Sequence, residues 1–291
     1  MKLLVCGSTG MLGQALVKEF NQLQIEVYTL ARKHADINLD FLNVEDLKQA
    51  LETLDPDVVV NAVAIVDLKK CEEDPSLAYL LNARPVGVLA EYANVNNKYL
   101  VQISTDHYYC DQGNVVHNEM SPISLLNEYA KTKFAGECFA LTARNSLVVR
   151  TNIVGYRRVE ERPTFIEWVL KSLINKDEMM LFDNVYTSSI AVSQLAQIVY
   201  DLITAKARGV FNVASRQSVS KKEFVQRLAE KFELSTENTN VKKFQNEGKP
   251  YRATSMGLEV RKVENFLGYR MPDTVEVIER LYKDYLEVNH F

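Results

Sequence analysis

Along the first half of the chain, short unbroken apolar runs alternate with longer stretches in which apolar residues recur every three or four positions. The short runs have the length and bounding of buried strands, and the longer ones have helical spacing. The pattern predicts strands over Lys2–Cys6, Ile25–Leu30, Asp57–Ala62, Tyr99–Ser104 and Ser146–Arg150. It predicts helices over Met11–Leu23, with Leu12, Ala15, Leu16, Phe20 and Leu23 on one face, over Val44–Thr53, over Pro75–Asn94 with Pro85 as a point of interruption, and over Glu128–Ala143. Strand–helix–strand alternation with buried strands implies an α/β fold whose parallel sheet is covered on both faces, and right-handed crossovers make that sheet doubly wound.

After Arg150 the regularity breaks. Helices are expected at Thr164–Asn175, Val192–Thr204, Lys221–Phe232, Arg261–Leu267 and Thr274–Leu286, a strand at Gly209–Val213, a polar loop at Asp183–Ser189, and a polar irregular segment at Ser235–Ser255. This half is too irregular for a second doubly wound sheet. The expected division is a first unit over residues 1–155, with a return segment near 191–215, and a smaller, mainly C-terminal cap formed by 156–190 and 216–291.

Composition narrows the function classes. With 291 residues the chain makes one large domain or two closely joined ones, and 47% hydrophobic residues supply an ample core. A formal net charge of −4 gives no global basic field, so neither nucleic acid nor an anionic membrane surface is an expected partner, and an anionic substrate needs a local site. Cys6, Cys71, Cys110 and Cys138 form no C-x-x-C pair, so neither a metal site nor a disulfide framework is expected. The N-terminal apolar run is too short for a signal-peptide core, and no stretch approaches the ~20 apolar residues of a membrane span. The expected location is the cytoplasm.

Gly7-Ser8-Thr9-Gly10-Met11-Leu12-Gly13 lies directly between the first strand and the first helix. In that context Gly7 allows a tight turn, Gly10 lets backbone approach a pyrophosphate, and Gly13 lets the helix pack close to the sheet. The free N–H groups at the helix start then face the phosphates, which makes Gly7, Thr9, Gly10, Met11, Leu12 and Gly13 cofactor-binding candidates. The second strand runs on into Arg32 and Lys33, with no acid before Asp36. Acids there suit a free ribose 2′-hydroxyl and cations a 2′-phosphate, so the expected coenzyme is NADPH, with NADH the alternative.

Tyr129 and Lys133 are four apart on one helix and share a face. An adjacent ammonium is expected to lower the tyrosine pKa from its ordinary ~10, making the phenol a usable acid toward a forming alkoxide. Ser104-Thr105-Asp106 follows a strand at the carboxyl edge where ligands bind, so a hydroxyl there can polarise a carbonyl.

With these residues in place, the chain resembles the dTDP-4-dehydrorhamnose reductase family of extended short-chain dehydrogenases. The similar stretches are GSTGMLG at 7–13, LDFLN at 39–43, NAVA at 61–64, ISTD at 103–106, EYAKTKFAGE at 128–137, VVRTNIVG at 148–155, FNVASRQSVSKKEF at 211–224 and RATSMGLEVRKVENFLGYRMP at 252–272. The resemblance implies a Rossmann-type sheet with a substrate-binding cap, making residues 1–155 the dinucleotide-binding unit, and Thr105, Tyr129 and Lys133 as the catalytic trio. It places Asp40 and Phe41 beside the adenine, Ala62, Val63 and Ala64 along the middle of the cofactor, and Asn82 beneath the site, ordering a water. Val66, Asp106, His107, Asn152 and Ile153 would face the sugar.

The chain departs from the family at His107, where a tyrosine is usual, at Ile153, where rhamnose-forming members carry tryptophan, and in Tyr186–Ser189, which lacks the usual proline. The implied activity is NADPH-dependent reduction of the keto group of a nucleotide-activated deoxysugar, of the dTDP-4-keto-6-deoxyhexose type, in deoxysugar or cell-surface polysaccharide biosynthesis. The alternatives are an epimerase of the same fold and a non-catalytic nucleotide-binding subunit resembling the regulatory subunit of methionine adenosyltransferase. The paired acids of a dehydratase are absent, since Asp106 is followed by His107. The expected partner is a nucleotide sugar, and a homodimer is left open.

Overall fold

A computed structural model describes residues 1–248 and 250–289. The chain runs β1 (Lys2–Cys6), α1 (Met11–Gln22), β2 (Glu26–Ala31), β3 (Ile37–Asn38), α2 (Val44–Leu54), β4 (Val58–Asn61), α3 (Leu68–Glu73), α4 (Pro75–Asn82), α5 (Arg84–Val95), β5 (Tyr99–Ile103), β6 (Val116–His117), α6 (Glu128–Ala140) and β7 (Ser146–Arg150). It continues β8 (Ile153–Val154), α7 (Phe165–Asn175), β9 (Met179–Phe182), β10 (Tyr186–Thr187), β11 (Ile190–Ala191), α8 (Val192–Thr204), β12 (Gly209–Asn212), β13 (Val219–Ser220), α9 (Lys221–Lys231), β14 (Thr239–Lys242), β15 (Ser255–Leu258), α10 (Arg261–Leu267) and α11 (Thr274–Asn289).

Seven strands form one parallel sheet in the order β12-β7-β5-β4-β1-β2-β3. The order reverses at β1, so the doubly wound Rossmann-type architecture is present, and a crevice opens at the carboxyl ends of β1 and β4. Strand side chains alternate between two cores, as a pleat requires. Leu3, Val5, Val58, Val60, Val101, Ile103, Leu147 and Val149 pack under α1 and α8 on one face. Leu4, Cys6, Val59, Leu100 and Val148 pack under α2 and α5 on the other.

A smaller four-stranded sheet, β13-β10-β15-β6, lies beside the large one. Its β6 comes from the first half of the chain, where Val116 and His117 pair with Gly257 and Leu258. Beyond the short strands, which the sequence pattern does not predict, three further differences stand out. The predicted Pro75–Asn94 helix is two, broken at Ala83, with Pro85 in the first turn of α5, where its missing N–H costs nothing. A further helix, α3, starts at Asp67, whose carboxylate accepts from Lys69 N and Lys70 N. Within the polar Ser235–Ser255 stretch, β14 pairs with β9. Among the described residues no helix is long and apolar enough to cross a membrane.

Candidate functional site

The glycine loop joins β1 to α1 at the crevice. Gly7 adopts φ +81°, in the left-handed region, and its N–H donates to Leu30 O at 2.8 Å. A Cβ on Gly13 would stand 2.1 Å from Gly7 O and 2.7 Å from Ser8 Cα, so the helix lies on the loop at a distance only glycine allows. Gly10 is the N-cap of α1 and no side chain caps the helix there, so its first N–H groups stay available to an anion. Beside the loop lies an open depression of about 370 Å³, bordered by Ser8, Thr9, Gln14, Val17, Lys18, Thr29 and His34. Thr9 is exposed and Met11 half-buried, whereas the Leu12 side chain is buried in the core, leaving its backbone for a ligand.

Arg32 and Lys33 are exposed just past β2. Asp36, the nearest acid, is committed elsewhere: its Oδ2 accepts from Thr29 N at 2.9 Å and Thr29 Oγ1 at 2.7 Å, and these bonds hold its pKa below the usual carboxylate range. The stretch just past β2 therefore offers cations. Phe41 is buried, its ring packed in the core under α2, so only backbone there can meet an adenine. Asp40 is exposed, with Oδ1 accepting from Leu42 N at 3.0 Å. Ala62, Val63 and Ala64 follow β4, half-buried, and Val63 N donates to Asn61 Oδ1 at 3.1 Å. The donor set fits a dinucleotide: an uncapped helix start, a glycine-only approach and two exposed cations with no ion pair among the described residues.

Asn82 joins two segments beneath the site. It is buried, its Oδ1 accepts from Ile65 N at 2.7 Å, and its Nδ2 donates to Ile65 O at 3.1 Å and Thr132 Oγ1 at 3.0 Å. These three bonds clamp the loop after β4 to α6 and leave one lone pair of Oδ1 without a partner among them. Val66, one residue beyond that clamp, is exposed.

Helix α6 carries Tyr129 and Lys133. Asn127 caps it, accepting from Ala130 N at 2.8 Å, and Asn127 Nδ2 donates to Tyr251 O at 2.8 Å. Both functional side chains are buried. Lys133 Nζ donates to Ile103 O at 2.7 Å, at the end of β5. Burial lowers the Lys133 pKa to about 8, against a smaller upward pull from Glu137. Burial also pushes the Tyr129 phenol well above its ordinary value; the Thr105 hydroxyl beside it opposes this and Asp106 adds to it. The expectation that Lys133 lowers the tyrosine pKa is therefore not met in this arrangement. One donor of the ammonium is held by a carbonyl, and desolvation dominates both groups. Tyr129 stands as a neutral phenol, the donor form of a general acid.

Thr105 and Asp106, at the end of β5, are buried with Tyr129. Thr105 Oγ1 donates to Asp106 Oδ1 at 3.4 Å and accepts from His107 N at 3.3 Å. The His107 ring meets the Tyr129 ring edge-on at 5.5 Å, and its Nε2 lies 3.9 Å from Asp106 Oδ1. Burial lowers the His107 pKa and raises that of Asp106. Asn152 Nδ2 donates to Asp106 Oδ2 at 2.7 Å, so its amide is occupied on that side, while Ile153 enters β8, half-buried. The structure thus brings Thr105, Asp106, His107, Tyr129 and Asn152 together.

Other contributors lay outside the sequence reading. Lys221, the first residue of α9, acts on Asp106 and His107 by charge, its own pKa is lowered to about 8 by burial, and its Nζ lies 4.6 Å from the centre of the Phe165 ring. Arg252 acts on His107 in the same sense. A lysine opening a helix works against the helix dipole, and that was the legible signal. Beneath the strand ends, Arg150 binds Glu137 through Nε at 3.0 Å and Nη2 at 2.8 Å, Ser104 Oγ donates to Glu137 at 2.6 Å, and the Arg150 guanidinium lies over Tyr108 at 5.1 Å. Segment 183–189 is not a free loop: Thr187, Ser188 and Ser189 are buried, and Ser188 Oγ accepts from Leu258 N at 3.2 Å.

The family profile described as the RmlD substrate binding domain matches residues 1–286. The spore coat polysaccharide biosynthesis protein SpsK of Bacillus subtilis is 28% identical over 241 residues, covering 81% of each chain. The dTDP-4-dehydrorhamnose reductase of Salmonella typhimurium is 35% identical over 141 residues, which spans 47% of this chain and 46% of that protein. A crystal structure of dTDP-4-dehydrorhamnose reductase from Bacillus anthracis in complex with NADP superposes with a TM-score of 0.85 at 22% identity, covering 98% of this chain and all of the other.

Proposed function

Because the chain belongs to the RmlD substrate binding domain family, the dTDP-4-dehydrorhamnose reductase-like group of extended short-chain reductases, we propose that it reduces the keto group of a nucleotide-activated deoxysugar with NADPH. The substrate class is a 4-keto-6-deoxyhexose on dTDP, and the setting is polysaccharide or deoxysugar biosynthesis. The observation that carries this reading is Tyr129: a buried neutral phenol, beside the Thr105 hydroxyl and one helical turn from Lys133.

NADPH, when bound, supplies the hydride. The rest falls to side chains. The loop of Gly7, Gly10 and Gly13 would seat the pyrophosphate on the start of α1, and Arg32 and Lys33 would meet the 2′-phosphate. Thr105 hydrogen-bonds the ketone oxygen and draws charge toward it. Tyr129 gives its proton to that oxygen as negative charge develops there. Lys133, on the same helix face, would hold the nicotinamide ribose and, once drawn off Ile103 O, favour the phenolate left behind. Asp106 and His107 border the sugar, and with Ile153 they make the pocket differ from that of rhamnose-forming relatives. The intact trio supports turnover over a purely nucleotide-binding role.

The test is NADPH oxidation followed spectrophotometrically with a panel of nucleotide-linked ketosugars. Turnover with dTDP-linked 4-keto-6-deoxyhexoses is the expected result. NADPH binding without oxidation by any member of the panel would overturn it.

A further inference from the structure

Five polar side chains, four of them buried, connect the reacting end of the crevice to the small sheet. Thr105 Oγ1 donates to Asp106 Oδ1 at 3.4 Å, Asn152 Nδ2 donates to Asp106 Oδ2 at 2.7 Å, and Ser189 Oγ donates to Asn152 Oδ1 at 2.7 Å. Ser189 Oγ also lies 3.0 Å from Thr187 Oγ1, and Thr187 belongs to β10 of the small sheet. Thr105, Asp106, Thr187 and Ser189 are each no more than 5% exposed, and Asn152 between them is half-buried. The backbone repeats the connection: Ile190 N donates to Asn152 O at 2.9 Å as β11 pairs with β8.

We infer that Ser189 and Asn152 are positioning residues through which the small sheet sets the Asp106 carboxylate and, through it, the catalytic Thr105 hydroxyl. A hydroxyl has one proton to give. With the Asp106 carboxylate as its acceptor, the Thr105 proton points away from a ketone; the 2.7 Å bond from Asn152 to Oδ2 draws on the carboxylate's charge, and the 3.4 Å bond from Thr105 to Oδ1 is long enough for that proton to turn toward the substrate. The Asn152 amide, together with the larger influence of His107, favours the charged form of Asp106 against its burial and competes with the Thr105 donor for it. Ser189 in turn fixes which way round the amide sits, because only its oxygen can accept from Ser189 while its nitrogen faces Asp106.

The electrostatics agree with this. Burial pushes Asp106 upward and the Asn152 bond pulls it back, so removing the bond moves its titration to higher pH. The other groups facing Asp106 are His107 and Tyr109 on its own loop, Tyr129 on α6 and Lys221 on α9. None of them touches Ser189 through the hydrogen bonds above. The position also fits the departure of this chain from its family, since the loop holding Ser189 lacks the usual proline.

The role in turnover rests on the proposed reductase activity; the placement of Asp106 does not. The experiment has two arms. In the first, Asp106 is followed by carboxyl 13C NMR through a pH titration of the whole protein, in wild type, Ser189→Ala, Ser189→Thr and Asn152→Asp. Ser189→Ala should raise the Asp106 titration, and Ser189→Thr should restore it. Asn152→Asp places a second carboxyl against Asp106 and should raise it further, as two carboxylates cannot both ionise at that distance. In the second arm, kcat, KM and the pH profile are measured with the ketosugar that the wild type reduces. Ser189→Ala should lower kcat by about tenfold, the size of one lost buried hydrogen bond, and move the acid limb of the profile to higher pH with little change in KM. An Asp106 titration that is the same in all four proteins overturns the inference, even if Ser189→Ala is less stable. If Ser189→Ala does not fold, Asn152→Asp carries the same test. If the titrations shift but no ketosugar is reduced, the proposed function fails and the positioning stands.

Discussion

Tyr129→Phe removes one oxygen from a ring that is 8% exposed and meets His107 edge-on at 5.5 Å. The ring and its packing remain, so the variant should fold, with a urea midpoint close to that of wild type. The size of the kinetic effect follows from the site. Burial holds the phenol pKa well above its ordinary value, so at neutral pH the whole population carries the proton and none of the loss is hidden in a wrong protonation state. A positioned general acid contributes ~10²–10⁴-fold, or about 3–5 kcal/mol at ~1.4 kcal/mol per decade. The proton moves only in the transition state, so the loss should appear in kcat, with NADPH affinity retained. The assay is steady-state NADPH oxidation with the best ketosugar, with cofactor affinity measured separately by fluorescence titration. A Phe variant that keeps kcat within a few-fold of wild type would refute the assignment of Tyr129 as the acid.

Three further outcomes follow from the geometry. Arg32→Ala should weaken NADPH binding by ~10–100-fold, the worth of a charge-assisted contact, while leaving NADH nearly unchanged; equal losses for both coenzymes would remove Arg32 from the 2′-phosphate site. Lys133 is lowered to about 8 in the folded protein. From about pH 8 to its ordinary ~10.4 the unfolded chain keeps a proton that the folded one has shed, so this group makes stability rise with pH across that window. Lys133→Met should therefore gain most relative to wild type near neutral pH and lose that advantage toward the top of the window; a pH-independent difference in urea midpoints would contradict it. Glu137→Gln should destabilise by about 3–5 kcal/mol, because it leaves the Arg150 guanidinium buried without its carboxylate; a change under ~1 kcal/mol would show that the pair is not the anchor described.

The large sheet was readable because its physics is local. Leu3, Val5, Val58 and Val60 announce buried strands, and Leu12, Leu16 and Phe20 announce the helix face that covers them. Tyr129 and Lys133 were legible for the same reason, since four residues on a helix fix a shared face. What their environment does to them was not. Whether desolvation or a neighbouring charge sets the Tyr129 pKa depends on where Lys133 Nζ is spent, and that is decided by Ile103 O, 30 residues away. The bonds of Asn82 were hidden for a related reason: its partners, Ile65 and Thr132, come from two other segments. The small sheet is built from pairs of residues such as Val116–His117 and Tyr186–Thr187, too short to leave a period in the sequence.

Strand β12 pairs with β7 at the edge of the large sheet, after the chain has already laid down β10 and before it lays down β13 and β15 of the small one. The polypeptide thus crosses between the two sheets repeatedly, and β6 adds one more crossing from the first half. A body tethered by one linker can swing open like a door, but one stitched by several strands has no such freedom. Any adjustment to a bound sugar must then be a sliding of packed surfaces over short distances. The stitching also ties the two sheets into one melting unit: a cut within residues 156–190 should release no self-standing fragment, and the halves should lose structure in a single transition.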